Sequence, residues 1–389
     1  MPDQPTALRI SLKKGGAEPP SEPTALSPLT EEQCLFLGDT DNPLLAPRGV
    51  QLTEHHLLVC DTGQNRLFIW EDYQSLMSSG QTQQQPQLVL GQASATGARR
   101  NAGSKVSGST LHYPSGLWSD GKRIIVADAW NHRVLIWHEW PQQHGQAADV
   151  VIGQPDFNTN LPNVRGVGQA PDARTLYWPY GLCSDGKSLW IADTGNRRVL
   201  YYENIPTENY QAADQLIGKR SFTERDYTPT DAVWPYSVKI GPQGAMAITD
   251  TQYYRVLLWH DRNKAFTQPA DCLIGQADFS ANGMNQYALY PAAHTLNWCY
   301  DSCFYGDGIL IADTGNSRVL WFDSLPLRHN EAACNLIGKP NFSTGSEYSA
   351  TVFGTENALY WPFSISVHQN ILALADTGNH RVSLQKFLD

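Results

Sequence analysis

Charge is scarce in this 389-residue chain: 28 Lys and Arg with 38 Asp and Glu make up only 17% of it, against roughly a quarter in an average soluble domain. The net charge is −10 and the cations gather in no long run. Nucleic acid and anionic membrane surfaces attract clustered Lys and Arg, so neither is an expected partner. No apolar run reaches the length of a membrane-spanning helix. The first thirty residues hold no apolar stretch behind Lys13 and Lys14, so no secretory signal is read. Cysteine is sparse and odd in number, seven at scattered positions, which excludes a disulfide framework and points to reduced thiols in a cytoplasmic setting. No GxSxG, P-loop, HExxH or CxxC motif occurs, which removes the common signatures of hydrolases, nucleotide binders and metalloproteases.

Aromatic and turn residues are plentiful. The chain carries 12 Trp, 31 Gly and 24 Pro. Large aromatic side chains supply the buried surface that disordered chains lack, and so many Gly and Pro predict tight turns between short strands.

Six segments share one pattern: LLVCDTGQNRLFIW, IIVADAWNHRVLIW, LWIADTGNRRVLYY, MAITDTQYYRVLLW, ILIADTGNSRVLWF and LALADTGNHRVSLQ. Each reads as an apolar strand, an Asp-initiated turn and an Arg opening the next strand. The Asp residues are Asp61, Asp128, Asp193, Asp250, Asp313 and Asp376; Arg66, Arg133, Arg198, Arg255, Arg318 and Arg381 follow them by five. Upstream stand Pro47, Pro114, Pro179, Pro235 and Pro362, with Cys299 at that place in the fifth unit. Downstream comes a piece such as VIGQPDF or LIGQADF. Four strands per unit and six units predict an all-β fold, a six-bladed β-propeller of four-stranded antiparallel blades, which hides strand edges by radial repetition. The last unit lacks its fourth strand, and CLFLGD carries a spare copy of the Gly motif. The expectation is therefore that residues 34–38 complete the C-terminal blade and close the ring. The blades are placed at about 47–91, 114–153, 179–218, 235–275, 299–338 and 362–388 within a propeller spanning 34–389. Residues 1–33 form a Pro-rich leader, expected to be extended and partly disordered.

The six D-x-x-N-x-R units resemble the NHL repeat, a six-bladed propeller family, and the IGQxxF pieces resemble those of its bacterial members. The resemblance implies the fold over nearly the whole chain. It implies little about function, because NHL propellers include RNA-binding, protein-binding and peptide-amidating lyase members. The three-His zinc set of the lyases has no counterpart in this sequence.

The repeated Asp and Arg are read as structural, a turn-opening carboxylate held by a guanidinium fork. A site for one ligand must break sixfold similarity, so departures from the repeat point to function. The Asp residues are spaced by 63 on average, whereas four-stranded propeller repeats need about 40–45 residues. The surplus lies in linkers 92–113, 154–178, 219–234, 276–298 and 339–361, on the face that carries the Asp turns. One of them, at 92–110, carries Arg99, Arg100 and Lys105 among Gly and Ser and reads as loose.

On that face an aromatic collar is expected at the channel mouth, from Tyr113, Trp178, Trp234, Trp298 and Trp361 before the Pro position and Tyr180, Tyr236, Tyr300 and Phe363 after it. Trp130 and Tyr253 replace turn residues and extend the surface. These rings would bind a protein or peptide partner, or a small aromatic or cationic ligand. The polar departures are Arg48, His112, Cys299 and Asp301. Blades two and five face each other across the ring, so His112 is expected to approach Cys299 and Asp301. Two functions follow. The first is a non-enzymatic binding scaffold with no cofactor. The alternative is a lyase or hydrolase using His112, Arg48, Cys299, Asp301 and Tyr300, with zinc on His112, His294, Cys299 and Asp301 as a weaker variant.

Overall fold

The computed structural model describes residues 29–38, 41–79, 84–345 and 358–387. Strand β1 is Leu29–Phe36. The first blade holds β2 Gly49–Leu52, β3 Leu57–Asp61, β4 Arg66–Trp70 and β5 Leu88–Leu90; the second β6 Pro114–Ser119, β7 Ile124–Asp128, β8 Arg133–Trp137 and β9 Val150–Ile152. The third holds β10 Pro179–Ser184, β11 Leu189–Asp193, β12 Arg198–Tyr202 and β13 Gln215–Ile217; the fourth β14 Pro235–Ile240, β15 Met246–Asp250, β16 Arg255–Trp259 and β17 Cys272–Ile274. In the fifth are β18 Asp301–Tyr305, β19 Gly308–Asp313, β20 Arg318–Phe322 and β21 Asn335–Ile337, and in the sixth β22 Pro362–His368, β23 Ile371–Asp376 and β24 Arg381–Phe387. Each set is one antiparallel four-stranded sheet, the sixth with β1 as its fourth strand, and the six sheets stand in a ring, a six-bladed β-propeller.

The strands that end in Asp and those that open with Arg are buried along nearly their whole length. Such strands are covered on both faces, which accounts for their unbroken apolar runs rather than an alternation. The core accordingly lies between blades. Leu58, Cys60 and Leu67 of the first blade pack with Leu117, Ile124 and Val126 of the second, and the pattern continues to Val50 and Val59 of the first blade against Ala373 and Val382 of the sixth.

The sixth sheet has the order β1-β24-β23-β22. Its outer strand starts at Leu29, five residues before the segment read from the sequence, and pairs Leu29 with Phe387 and Phe36 with Val382 across an irregular register. The seven-residue β24 offers more edge than the other third strands do, and Leu29 and Phe387 bury together beside Ile337. Gly38 lies beyond the strand in a single bridge to Pro43. Of the leader, residues 1–28 lie outside the described residues. The linker carrying Arg99 and Arg100 is anchored: Asn101 is buried, its N–H donates to the Leu111 carbonyl and its amide bonds the Asn131 side chain. No helix among the described residues is long and apolar enough to cross a membrane.

Candidate functional site at the channel mouth

The site is built on a turn that recurs in every blade. Each Asp is fully buried. Its Oδ1 accepts the N–H of the residue sixteen positions upstream, Leu45, His112, Tyr177, Trp234, Asn297 or Tyr360, at 2.6–2.9 Å. Its Oδ2 accepts the partner Arg Nε at 2.7–3.1 Å. The rest of the guanidinium fork reaches linker carbonyls. Arg133, Arg198, Arg255 and Arg318 donate to the carbonyls of Phe157, Phe222, Phe279 and Phe342 in the linker that follows their blade, and to carbonyls of the linker just before their own blade. Burial pushes the carboxyls of Asp193, Asp250, Asp313 and Asp376 above their ordinary value against the pull of Arg, and Asp61 up to about 6. A buried charge pair with every acceptor engaged is a clamp, and here it straps the long linkers onto one face.

The Thr after the Asp has a role that turn chemistry alone does not reveal. Thr62, Thr194, Thr251 and Thr314 donate to the carbonyl at the start of the next blade's inner strand, Pro114, Pro235, Cys299 and Pro362, at 2.5–2.6 Å. Thr377 donates likewise to Pro47, joining the sixth blade to the first. The signal was present: Thr fills this place in five of the six turns, and the second blade has Ala129.

The clamps set the entrance of each inner strand. There Tyr113, Trp178, Trp298 and Trp361 sit in the left-handed region, with φ of 46–58°, a conformation costing roughly 1–2 kcal/mol for a residue with a Cβ. Acceptors on neighbouring turns hold three of them: Asn65 takes the Tyr113 N–H, His132 Nδ1 that of Trp178, and Ser317 Oγ that of Trp361. Ala46 at the first blade shares this conformation (φ 49°), so the strained entrance belongs to the repeat and shapes the mouth.

One position further in, the rings close a collar. Tyr180 stacks on Tyr236 at 4.7 Å, Tyr236 meets Tyr300 edge-on at 4.6 Å, and Tyr300 stacks on Phe363 at 4.1 Å. Arg48 completes the circle. Its Cζ stands 4.1 Å from the Phe363 ring and 5.1 Å from Tyr113. No carboxylate pairs with it among the described residues. The Tyr236 hydroxyl is buried without a well-aligned hydrogen bond, although it interacts with the Arg48 guanidinium. Above the collar opens a cavity of about 220 Å³ lined by Arg48, Tyr180, Trp234, Tyr236, Trp298 and Tyr300. Burial pushes the Tyr180 hydroxyl up to about 12 and raises those of Tyr113, Tyr236 and Tyr300. All four are therefore protonated donors at neutral pH.

The outer rings divide into two groups. Trp130, Trp298 and Trp361 are 44%, 40% and 46% exposed. Trp130 stacks on Tyr113 at 4.8 Å and lies edge-on to His112. Trp178 and Trp234 face each other at 6.1 Å, half-buried. Tyr253 packs instead against the linker ring Tyr227 and over Arg255, because the 219–234 linker folds back across its turn.

Of the polar departures, Arg48 and Asp301 line one small cavity with Tyr300, whereas Cys299 and His112 lie apart from it. Cys299 is fully buried in the core between blades four and five, where burial raises its thiol well above the ordinary value. Asp301 accepts from Ser237 at 2.6 Å, from Ser364 and the Ile365 N–H at 3.0 Å, and pairs with Lys239 Nζ at 3.3 Å. That network ties blades four, five and six below the collar. Burial opposes the Lys239 charge, but Asp301 outweighs it and holds the ammonium above its ordinary pKa. Lys239 went unnoticed in the sequence, though it stands where blades three and five have Cys183 and Cys303. Burial lowers the His112 pKa, and its ring is taken up by Trp130. His294 lies on a linker, where its carbonyl accepts from Gln286. Among the described residues no three His, Cys, Asp or Glu stand together as a metal site.

No protein-family model matches the chain. No curated protein matches it. Among solved structures, Kuenenia stuttgartiensis hydrazine synthase is similar at 11% identity over 90% of this chain and 97% of that one, with a TM-score of 0.49. A streptogramin B lyase is similar at 11% identity over 92% and 97%, TM-score 0.46, and Myxococcus xanthus glutaminyl cyclase at 12% over 93% and 97%, TM-score 0.39. The likeness carries no chemistry.

Proposed function

We propose that this chain is an NHL-type propeller that works as a binding scaffold, taking a side chain or chain end of a protein or peptide partner at the aromatic channel mouth. The observation that carries the reading is Arg48, a half-buried guanidinium set in a ring of aromatics beside an open cavity and paired with no carboxylate among the described residues. Trp, Tyr and Arg are the residues that anchor partners most strongly, and a guanidinium between rings favours a carboxylate over a cation. A cavity of about 220 Å³ suits one aromatic residue or a C-terminal carboxylate rather than a whole domain. The exposed Trp130, Trp298 and Trp361 would then cover the flanking residues of the partner. The free thiols of all seven cysteines suit a reducing, cytoplasmic setting.

Titration of intrinsic Trp fluorescence with short peptides ending in Phe or Trp tests this. A free C-terminal carboxylate is expected to bind, the amidated peptide to bind on the order of tenfold more weakly, and Arg48→Gln to abolish the difference. Equal binding of both peptides by both proteins would overturn the reading, as would stoichiometric zinc in the purified protein.

A further inference from the structure

Blades two to five each join their third and fourth strands by a connection of equal length, residues 138–149, 203–214, 260–271 and 323–334. Three of these connections reach the outer strand of the preceding blade and finish its edge. Gly145 N–H donates to the Val89 carbonyl at 2.8 Å while His144 Nδ1 accepts the Val89 N–H at 3.2 Å. Tyr210 and Asn209 do the same for Val151, at 2.9 and 3.0 Å. Asn330 and His329 do so for Leu273, at 2.8 and 3.0 Å. The cap is always an acceptor side chain, Asn or His, followed by a residue at positive φ: Gly145 at 64°, Tyr210 at 57° and Asn330 at 61°. Val89, Val151 and Leu273 beneath the caps are fully buried.

The fourth blade breaks this rule. Phe266 and Thr267 stand where the cap pair stands elsewhere. Phe has no acceptor, and Thr267 has φ −137°, as a β-branched residue avoids the left-handed region. Strand β13 keeps the register of β9, Leu216 opposite Leu200 as Val151 is opposite Leu135. The Leu216 N–H and C=O therefore turn outward, and among the described residues nothing bonds to them. Gln215 is exposed and Leu216 half-buried, where the capped strands are buried throughout. Beside this unbonded edge, against which the turn Arg262–Phe266 lies, is a groove of about 480 Å³ lined by residues of blades three and four, among them Ile217, Lys219, Leu257, Trp259, Phe266 and Pro269. An unpaired edge next to apolar surface is a template for another chain.

We propose that this groove docks a turn of a partner polypeptide, an Asn or His followed by a residue in the left-handed region, which completes β13 as the chain's own connections complete β5, β9 and β17. The partner's Asn or His accepts the Leu216 N–H, its next N–H donates to the Leu216 carbonyl, and apolar flanking residues cover the half-buried Leu216 and Phe266. The site is separate from the channel mouth and stands without it.

The probe is the nine-residue peptide IPTENYQAA, the chain's own residues 205–213, added to the intact protein. Calorimetry is expected to show saturable binding, and hydrogen exchange to show the Leu216 amide slowed by the peptide. Replacing the peptide's Asn by Leu is expected to weaken binding on the order of tenfold. Phe266→His with Thr267→Gly installs the chain's own cap and is expected to abolish binding. If that double variant fails to fold by circular dichroism, Leu216→Pro removes the same donor at an edge position that tolerates proline. Lack of binding up to millimolar peptide, or binding indifferent to these variants, would overturn the proposal. So would a wild-type dimer that the double variant converts to monomer, because the occupant would then be a second copy.

Discussion

Single residues in this propeller are decided by whether a neighbour completes their hydrogen bonding. Asp250 and Arg255 are both fully buried and joined at 3.1 Å. Replacing Asp250 with Ala leaves an uncompensated guanidinium in the core, and chemical denaturation is expected to show a loss of about 3–5 kcal/mol. His132 offers a second case. Its Nδ1 accepts the Trp178 N–H, and burial, with a smaller push from His112, lowers its pKa from 6.5 to about 4. The unfolded chain therefore binds the proton more readily than the native one. This contribution is fully present above pH 6.5 and is lost as pH falls toward 4, up to about 3 kcal/mol. Asn fills the equivalent place at Asn65, with the same bond to Tyr113. His132→Asn is thus expected to keep stability at pH 7.5 and to lose that part of the pH dependence, measured as melting temperature between pH 7 and pH 4.5. The sequence identified Asp250 and Arg255 as parts of the repeat. It left open whether Cys299 and Asp301 were free to react, because their burial and the Ser237, Lys239 and Ser364 contacts come from the neighbouring blades four and six.

At the scale of strands and turns, the repeat was legible because apolar runs bounded by Asp and Arg recur at one spacing. The inner, second and third strands fall where the Pro, Asp and Arg place them. The outer strands are only three residues long in five blades, too short for a pattern of their own, and only the Gly motif betrays them. What the turn does between blades was less legible. A Thr in a turn reads as a local residue, yet its hydroxyl reaches a carbonyl some 41 to 52 residues away. Thr194→Val keeps the shape and removes the donor to Pro235; a loss of about 1 kcal/mol or more is expected in urea denaturation. Ala129→Val, at the one turn that carries no such hydroxyl, is the control for added bulk without a lost donor.

Across the whole molecule, each blade shares its core with two neighbours, so the ring is as strong as its weakest interface. Strand β1 carries Leu29, Cys34 and Phe36 into the core at blades five, six and one. Deleting residues 1–36 removes the outer strand of the sixth sheet and two large buried side chains. At roughly 1.5–3 kcal/mol for each buried apolar side chain, the expected loss is several kcal/mol, seen as a lower melting temperature and binding of an apolar dye. The thiols report the same packing. Cys334 is the exposed one, Cys303 is partly covered and the other five are buried, where burial raises the pKa of Cys34 and Cys272 to about 11. Alkylation of the native protein at pH 7.5 is expected to modify Cys334 first and the buried five only on unfolding, as read by peptide mass mapping.

The amino-acid sequence alone determined the number of blades, the strands within them and the face that carries the linkers, because those follow from local patterns repeated six times. Only the tertiary structure decided which departures from the repeat matter. Among the described residues Arg48 pairs with no carboxylate, Cys299 is sealed in the core and Leu216 has an unbonded edge, all for one reason: each depends on residues from other blades, whose approach is set by the closing of the ring and not by neighbours in the chain.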